Sequence, residues 1–255
     1  MKKIVWLFLL AVCCYGAYAS KAQGHYTSRM VDKLSPFHAI HVQGNIEVDF
    51  MQNPTHTVHA SGPQKVLDSA SVRVKDNVLE IGFLPSGKQT GPLRVMVTAP
   101  ALHEVTVSGK GEVHVRGKMQ VQDLSVTLKQ TGEFSADGLA VHTLDIHAAG
   151  QSEADINRLD AHSVVAAADG NAEIDLAGLA LTAQLANHGA GEIDAADLRV
   201  QKGKASLTGK GDIKISAYEM LEASAFGKGK IKYKGAPIQM QRSGNLKRIV
   251  QDNDD

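Results

Sequence analysis

Residues Ser108–Val115 read SGKGEVHV, and the five letters at their centre, GKGEV from Gly109 to Val113, decide the fold. Taken alone they resemble a loop that cradles a phosphate. The phrase is not alone. It returns as QTGEF from Gln130, GQSEA from Gly150, GNAEI from Gly170, GAGEI from Gly189, GKGDI from Gly209 and GKGKI from Gly227. Counted from Gly109, the starts lie 21, 20, 20, 19, 20 and 18 residues apart. A phosphate loop occurs once, whereas recurrence at a near-constant interval marks a repeat architecture.

The residues around each phrase supply the unit. After it, apolar or small side chains alternate with polar ones, as in Val113 and Val115, Phe134 and Ala136, Ile174 and Leu176, Ile213 and Ile215, Ile231 and Tyr233. Before it runs a second alternation, as in Leu124, Val126 and Leu128, then Leu144 and Ile146, then Ala205 and Leu207. Period two means strands with one buried face. A unit of strand, glycine bend, strand and turn cannot bury its apolar face alone, but stacked neighbours share a continuous core. The expectation is an all-β chain whose residues 106–234 form a parallel β-helix with coils of about 20 residues. Glycine is read as the bend residue because it reaches positive φ without steric cost. The stretch SVVAAADGNAEIDLAGLALTAQLANHGAG, Ser163–Gly191, is rich in Ala and Leu and admits a helical reading. Its glycines hold the register of the other copies, and each would cost a helix about 1 kcal/mol, so strands are expected there too.

The flanks differ. Within residues 36–105, FHAIHVQGNIEVDFMQ, HTVHASG, ASVRVKDNVLEIGF and GPLRVMVTAP are alternating runs separated by turn signals. They read as a β-rich opening section that covers the first coil, since an exposed solenoid end is an open edge. Residues 235–255 read as a polar tail whose last letters, QDNDD, are expected to be mobile. At the other end, Lys2 and Lys3 precede the apolar run Ile4–Val12 and the small-x-small site AYA, Ala17–Ala19. Residues 1–19 therefore read as a cleaved export signal, with a mature start near Ser20 in the periplasm or at the cell surface. A membrane anchor fits less well because the run is short. A lipoprotein acylated at Cys13 or Cys14 is the alternative, disfavoured by Val12 where a small residue is expected. No later run approaches the roughly 18 apolar residues of a membrane helix.

Composition excludes some functions. The chain has 255 residues and balances 27 Lys and Arg against 27 Asp and Glu; losing Lys2 and Lys3 with the signal leaves 25 against 27. That balance argues against a nucleic-acid partner, which needs a basic excess. Both cysteines lie within the signal, so a cleaved chain has no disulfide, thiol nucleophile or thiolate metal site. Aromatic residues make up 5% and glycines number 24, which suits short stacked strands.

Each motif that suggests chemistry has a plainer role beside it. GFLPSGKQ, Gly82–Gln89, approaches a P-loop, but Gln89 stands where Ser or Thr must hold magnesium and Pro92 follows soon after, so a turn is expected. The eleven histidines show no metal-binding spacing; His142 and His147 are five apart and face opposite ways on a strand. The GKGE phrases are coil bends before they are anion nests. The acidic letters are the candidate site. If the residue after each acid points inward, then Glu112, Glu133, Glu153, Glu173, Glu192 and Asp212 stack outward, one per coil. Two positions on, His114, Ser135, Asp155, Asp175, Asp194 and Lys214 form a parallel column. At a coil spacing of ~4.8 Å, adjacent exposed carboxylates repel by ~0.9 kcal/mol in water, which solvent and salt tolerate. The plain role is a solubilising face. The sharper one is a site for divalent cations or a basic partner, centred on Glu153, Asp155, Glu173, Asp175, Glu192 and Asp194. Calcium suits such oxygen ligands, though a flat face leaves its shell incomplete.

An exported chain that opens with FHAIHVQGNIEVDF, continues with VKDNVLEIGF and LRVMVTAPALHEVTVSGKGEV and then repeats Gly-x-Gly-acid-Ile resembles the bacterial auto-transporter adhesin family with the head GIN domain, found mostly in exported proteins of Bacteroidetes. The resemblance covers residues 36–234. Family members commonly show Gly-Ser-Gly, where this chain has Lys or Ala in the middle or a degraded phrase. The resemblance implies a right-handed β-helix, with no established enzymatic activity and no family-defined catalytic residue to carry over; the expectation is a non-enzyme without a cofactor. The expected function is recognition of an envelope, glycan or protein partner, or envelope scaffolding. A carbohydrate-active β-helix enzyme and an envelope signalling partner are the alternatives. Coils that vary only from 18 to 21 residues lack the insertions that wall a catalytic cleft.

Overall fold

The computed structural model describes residues 26–31, 34–85 and 91–252. The expected signal, its cysteines, the Ser20 start, the last three residues and the second half of the GFLPSGKQ stretch, residues 86–89, lie outside the described residues. The chain opens with β1 (Tyr26–Met30), β2 (Ala39–Gln43), β3 (Ile46–Gln52) and β4 (Thr57–Pro63), a short helix α1 (Gln64–Ser69), and then β5 (Ala70–Lys75), β6 (Val78–Phe83), β7 (Leu93–Ala99) and β8 (Glu104–Gly109). The repeat follows as long bent strands, β9 (Glu112–Gln130), β10 (Glu133–Gly150), β11 (Glu153–Gly170), β12 (Glu173–Asn187), β13 (Ile193–Leu207) and β14 (Ile213–Ala225). The shorter β15 (Ile231–Lys234), β16 (Gln239–Gly244) and β17 (Ile249–Gln251) finish it. The result is a parallel β-solenoid of about seven turns with coils about 20 residues apart. Ser163–Gly191 is strand, not helix: it runs through β11 and β12 with period-two burial.

From β9 to β14 each strand pairs in parallel with the one before it, nearly residue for residue. That register puts like beside like. Val113, Phe134, Ala154, Ile174, Ile193, Ile213, Ile231 and Ile249 form one inward column, each 5% exposed or less. Large and small side chains alternate where space is tight, as when Ala154 separates Phe134 from Ile174. Such interdigitation is what close packing inside a narrow coil requires.

The opening section does more than cover the first coil. β2 lies between β6 and β8, and β3 between β7 and β9, all in parallel. The chain therefore lays down the β2–β3 layer, leaves it to build the β6–β7 layer outside, and returns with β8 on the inner side. Its cap is antiparallel: β5 on β6, β4 on β7, and β1 on β4. The β5–β6 hairpin turns at Asp76 and Asn77, with φ of 51° and 63°, the paired left-handed turn that matches strand twist.

The C-terminal stretch, read as a polar tail, is also part of the stack. β16 pairs in parallel with β14, and β17 with β15. Its composition hid this because a final layer has one neighbour and few inward positions; Ile249 is its one buried side chain within the two strands.

A ladder of carboxylates as the candidate functional site

Because Phe134, Ala154, Ile174 and Ile193 point inward, the residues on either side of them must point out. Register then brings the acidic letters together. Glu112, Glu133, Glu153 and Glu173 are lateral neighbours on consecutive strands, and the amide of Ile174 donates to the carbonyl of Glu192 at 3.0 Å, which adds the fifth. Asp155, Asp175 and Asp194 form the second column, followed by Lys214. All six carboxylates singled out in the sequence thus occupy one face in the expected order.

The ladder is longer than the repeat suggested. Glu47 and Asp49 of β3 pair with Glu112 and His114 of β9. The signal was present: NIEVDF, Asn45–Phe50, has the same alternation, but its strand joins the stack out of chain order. At both ends the columns meet cations. Arg94 contacts Glu47 at 2.8 Å and Arg116 contacts Asp49 at 2.7 Å. Lys214 reaches Asp194 at 2.7 Å and Glu192 at 2.9 Å, and these hydrogen bonds hold its ammonium group above the usual lysine range. Lys232 lies 3.8 Å from Asp212. Between these ends, Glu133, Glu153, Asp155, Glu173 and Asp175 have no ion pair among the described residues.

Crowding raises the pKa of the central acids. Loss of hydration, then repulsion from Asp194, Asp155, Glu153 and Glu173, pushes the Asp175 carboxyl up to about 6. Loss of hydration, then Glu112 and Glu153, raises Glu133. Asp137 moves the other way: it accepts the Gly117 amide at 2.9 Å and faces His114 Nε2 at 3.1 Å, and these contacts lower it. His114 Nδ1 lies 2.6 Å from Ser135 Oγ, so this histidine is tied down at the ladder's edge.

The face is a shallow depression of about 210 Å³ beside Glu47, Asp49, Glu112, His114, Glu133 and Glu153. Among the described residues no three His, Asp or Glu side chains converge where a metal ion could be held. The reason is geometric: outward side chains of adjacent strands run parallel and do not enclose a point. The array presents a line of negative charge to whatever lies against it.

A second face carries a broader depression of about 600 Å³ beside Gln120, His142, His162, Leu181, Arg199 and Tyr218. His142 and His162 stack with ring centroids 4.5 Å apart and planes 17° from parallel. Their separation of one coil was the available signal; comparing histidines only within a coil misses it. His147, by contrast, lies 3.7 Å from Asp169 on the outer surface. No described helix is long and apolar enough to cross a membrane.

Solved structures share this architecture. A crystal structure of a "putative adhesin" from Parabacteroides merdae superposes with a TM-score of 0.81 at 24% identity, over 90% of this chain and 96% of that one. A "putative adhesin" from Bacteroides fragilis gives 0.64 at 25% identity, over 89% and 95%. A "putative lipid binding protein" from Parabacteroides distasonis gives 0.79 at 19% identity, over 90% and 97%. No curated protein matches the sequence. The profile of the family described as "Putative auto-transporter adhesin, head GIN domain" matches residues 36–237, and the chain belongs to that family.

Proposed function

We propose that the protein is an exported, non-enzymatic recognition module of the cell envelope that engages a cationic partner along the carboxylate ladder. One observation carries the reading: Glu133, Glu153, Asp155, Glu173 and Asp175 are held in register without a cation of their own, while both ends of the ladder are neutralised. Stacked like charges repel, and a surface that supplies the counter-charge is stabilised by them. Family membership supports an adhesin-like role, and the near-constant coil length supports binding over chemistry. The second reading, a carbohydrate-active enzyme, has one observation on its side: the Asp175 carboxyl at about 6 suits a proton donor.

Binding of the purified protein to immobilised glycans and envelope proteins tests the proposal, repeated with Glu153→Gln/Asp175→Asn. A partner bound by the parent and weakened at least about tenfold in the neutralised variant supports it. Full retention by a variant that melts like the parent moves recognition to another face, and polysaccharide cleavage would establish the enzyme reading. Calcium, offered ligands from one side only, is expected to bind no tighter than on the order of millimolar in a calorimetric titration; micromolar binding by the monomer contradicts the one-sided geometry. For export, N-terminal sequencing is expected to begin near Ser20, and a lipid-modified Cys13 or Cys14 overturns that start.

A further inference from the structure

The two ends of the solenoid are built differently. Antiparallel strands cover the N-terminal end, whereas at the other end β16 pairs only with β14, and β17 only with β15, among the described residues. Charge is equally uneven. Residues 132–197 carry twelve Asp and Glu against one basic residue, Arg158, while residues 198–252 carry twelve Lys and Arg against four Asp and Glu. The excess is densest at the very end, where residues 226–252 hold seven Lys and Arg and one Asp. Of those seven, only Lys232 has an acidic partner among the described residues. Lys228, Lys230, Arg242 and Lys247 are exposed. Arg248 donates to the carbonyls of Lys228 and Gly229, which fastens the last turn to the corner beneath it.

Apolar side chains stand among these cations. Ile238 is 83% exposed, Phe226 70%, Leu246 55% and Val250 41%. Single exposed apolar residues are ordinary on a protein surface. Four within the last two layers, interleaved with lysines, are the composition of a surface that lies in a lipid headgroup region.

We propose that the C-terminal end of the solenoid docks on an anionic lipid surface, its lysines over the headgroup phosphates and Phe226, Ile238 and Leu246 in the interface. Charge favours this occupant over a second copy docked end to end, because two such ends bring like charges together. The exposed apolar set favours it over a soluble polyanion, which offers those side chains no apolar surroundings. The proposal is independent of the carboxylate ladder, which lies on earlier coils.

Protein purified with the N-terminus it carries after export is sedimented with vesicles of phosphatidylcholine, with and without phosphatidylglycerol. Binding to the anionic vesicles only, released by high salt, is expected. Lys228→Gln, Lys230→Gln and Lys247→Gln weaken it by about fivefold each, roughly a hundredfold together. Phe226→Ser with Leu246→Ser weakens it while leaving the salt dependence in place. Equal binding to both vesicles, binding to neither, or undiminished binding by a lysine variant that melts like the parent overturns the proposal. Two further results also overturn it. Preference for dextran sulfate with no loss in the Phe226 and Leu246 variant assigns a soluble polyanion. A dimer in sedimentation velocity that the lysine changes strengthen assigns end-to-end self-association.

Discussion

Glycine at the coil corners has two physical causes, not one. Gly109, Gly150 and Gly170 have φ of 82°, 91° and 72°, the left-handed conformation expected of a bend. Gln130 takes the same corner position with φ of 63°, so the bend tolerates a side chain there. At Gly189, Gly191, Gly209 and Gly211 φ leaves that region and the constraint is space: a Cβ on Gly191 would overlap the carbonyl oxygen of Ala172, and one on Gly211 that of Gly191. Asn187 sits where one corner form gives way to the other. It is fully buried; its Nδ2 donates to the carbonyls of Gly191 at 2.8 Å and Asp212 at 3.0 Å, and its Oδ1 accepts from the Gly189 amide at 2.9 Å. Asn187→Ala removes the partner of the Gly189 amide and the Gly191 carbonyl, while the Asp212 carbonyl keeps the Ile193 amide at 3.1 Å, and is expected to destabilise by about 2–3 kcal/mol in urea unfolding. The opposite case is Ser152, whose buried hydroxyl has no partner among the described residues. Ser152→Ala is therefore expected to be neutral or to stabilise by up to about 1 kcal/mol, and a clear loss would mean the hydroxyl is bonded.

At the scale of the element, the register of β10 to β14 governs both core and face. Ile174, Ile193 and Ile213 are fully buried lateral neighbours, so Ile193→Asp places an unpaired charge between two isoleucines. A loss of several kcal/mol is expected, and a parental melting temperature would show the inward register to be wrong. The same register crowds Asp175. Its folded-state pKa of about 6 lies above the ordinary 3.8, so folding favours the protonated form. That contribution is fully present below about pH 4 and is lost as pH rises through about 6. A tenfold change in proton affinity is worth about 1.4 kcal/mol, but the side chain, although partly desolvated by its neighbours, still reaches solvent and the effect is screened. Asp175→Asn is expected to be about 1 kcal/mol more stable than the parent near pH 7.5 and equal to it near pH 4. Thermal melts across that range decide it; a constant difference would place its cause outside ionisation.

Along the described residues of the whole molecule, a covered end, an acidic middle and a basic end follow one another on the axis. Stacking converts their order in the chain into order in space, because each coil contacts only its neighbours. The one departure is the β2–β3 layer, which lies between later strands and so ties the opening section into the stack. Closing that layer needs long-range pairing, a slow kind of contact to form.

What the sequence determined by itself was whatever repeats: the coil interval, the alternation that makes strands, and the order of carboxylates on one face. These are local patterns, and a solenoid reuses one local pattern in every layer. Three features waited for the tertiary structure. The interleaving of β2–β3 depends on pairing between strands far apart in the chain, which no local pattern encodes. The final layer of β16 and β17 is polar because it has a neighbour on one side only, so composition alone made it resemble a tail. The stacked pair His142 and His162, and the extension of the ladder to Glu47 and Asp49, exist because lateral neighbours in a β-solenoid are a full coil or more apart in sequence.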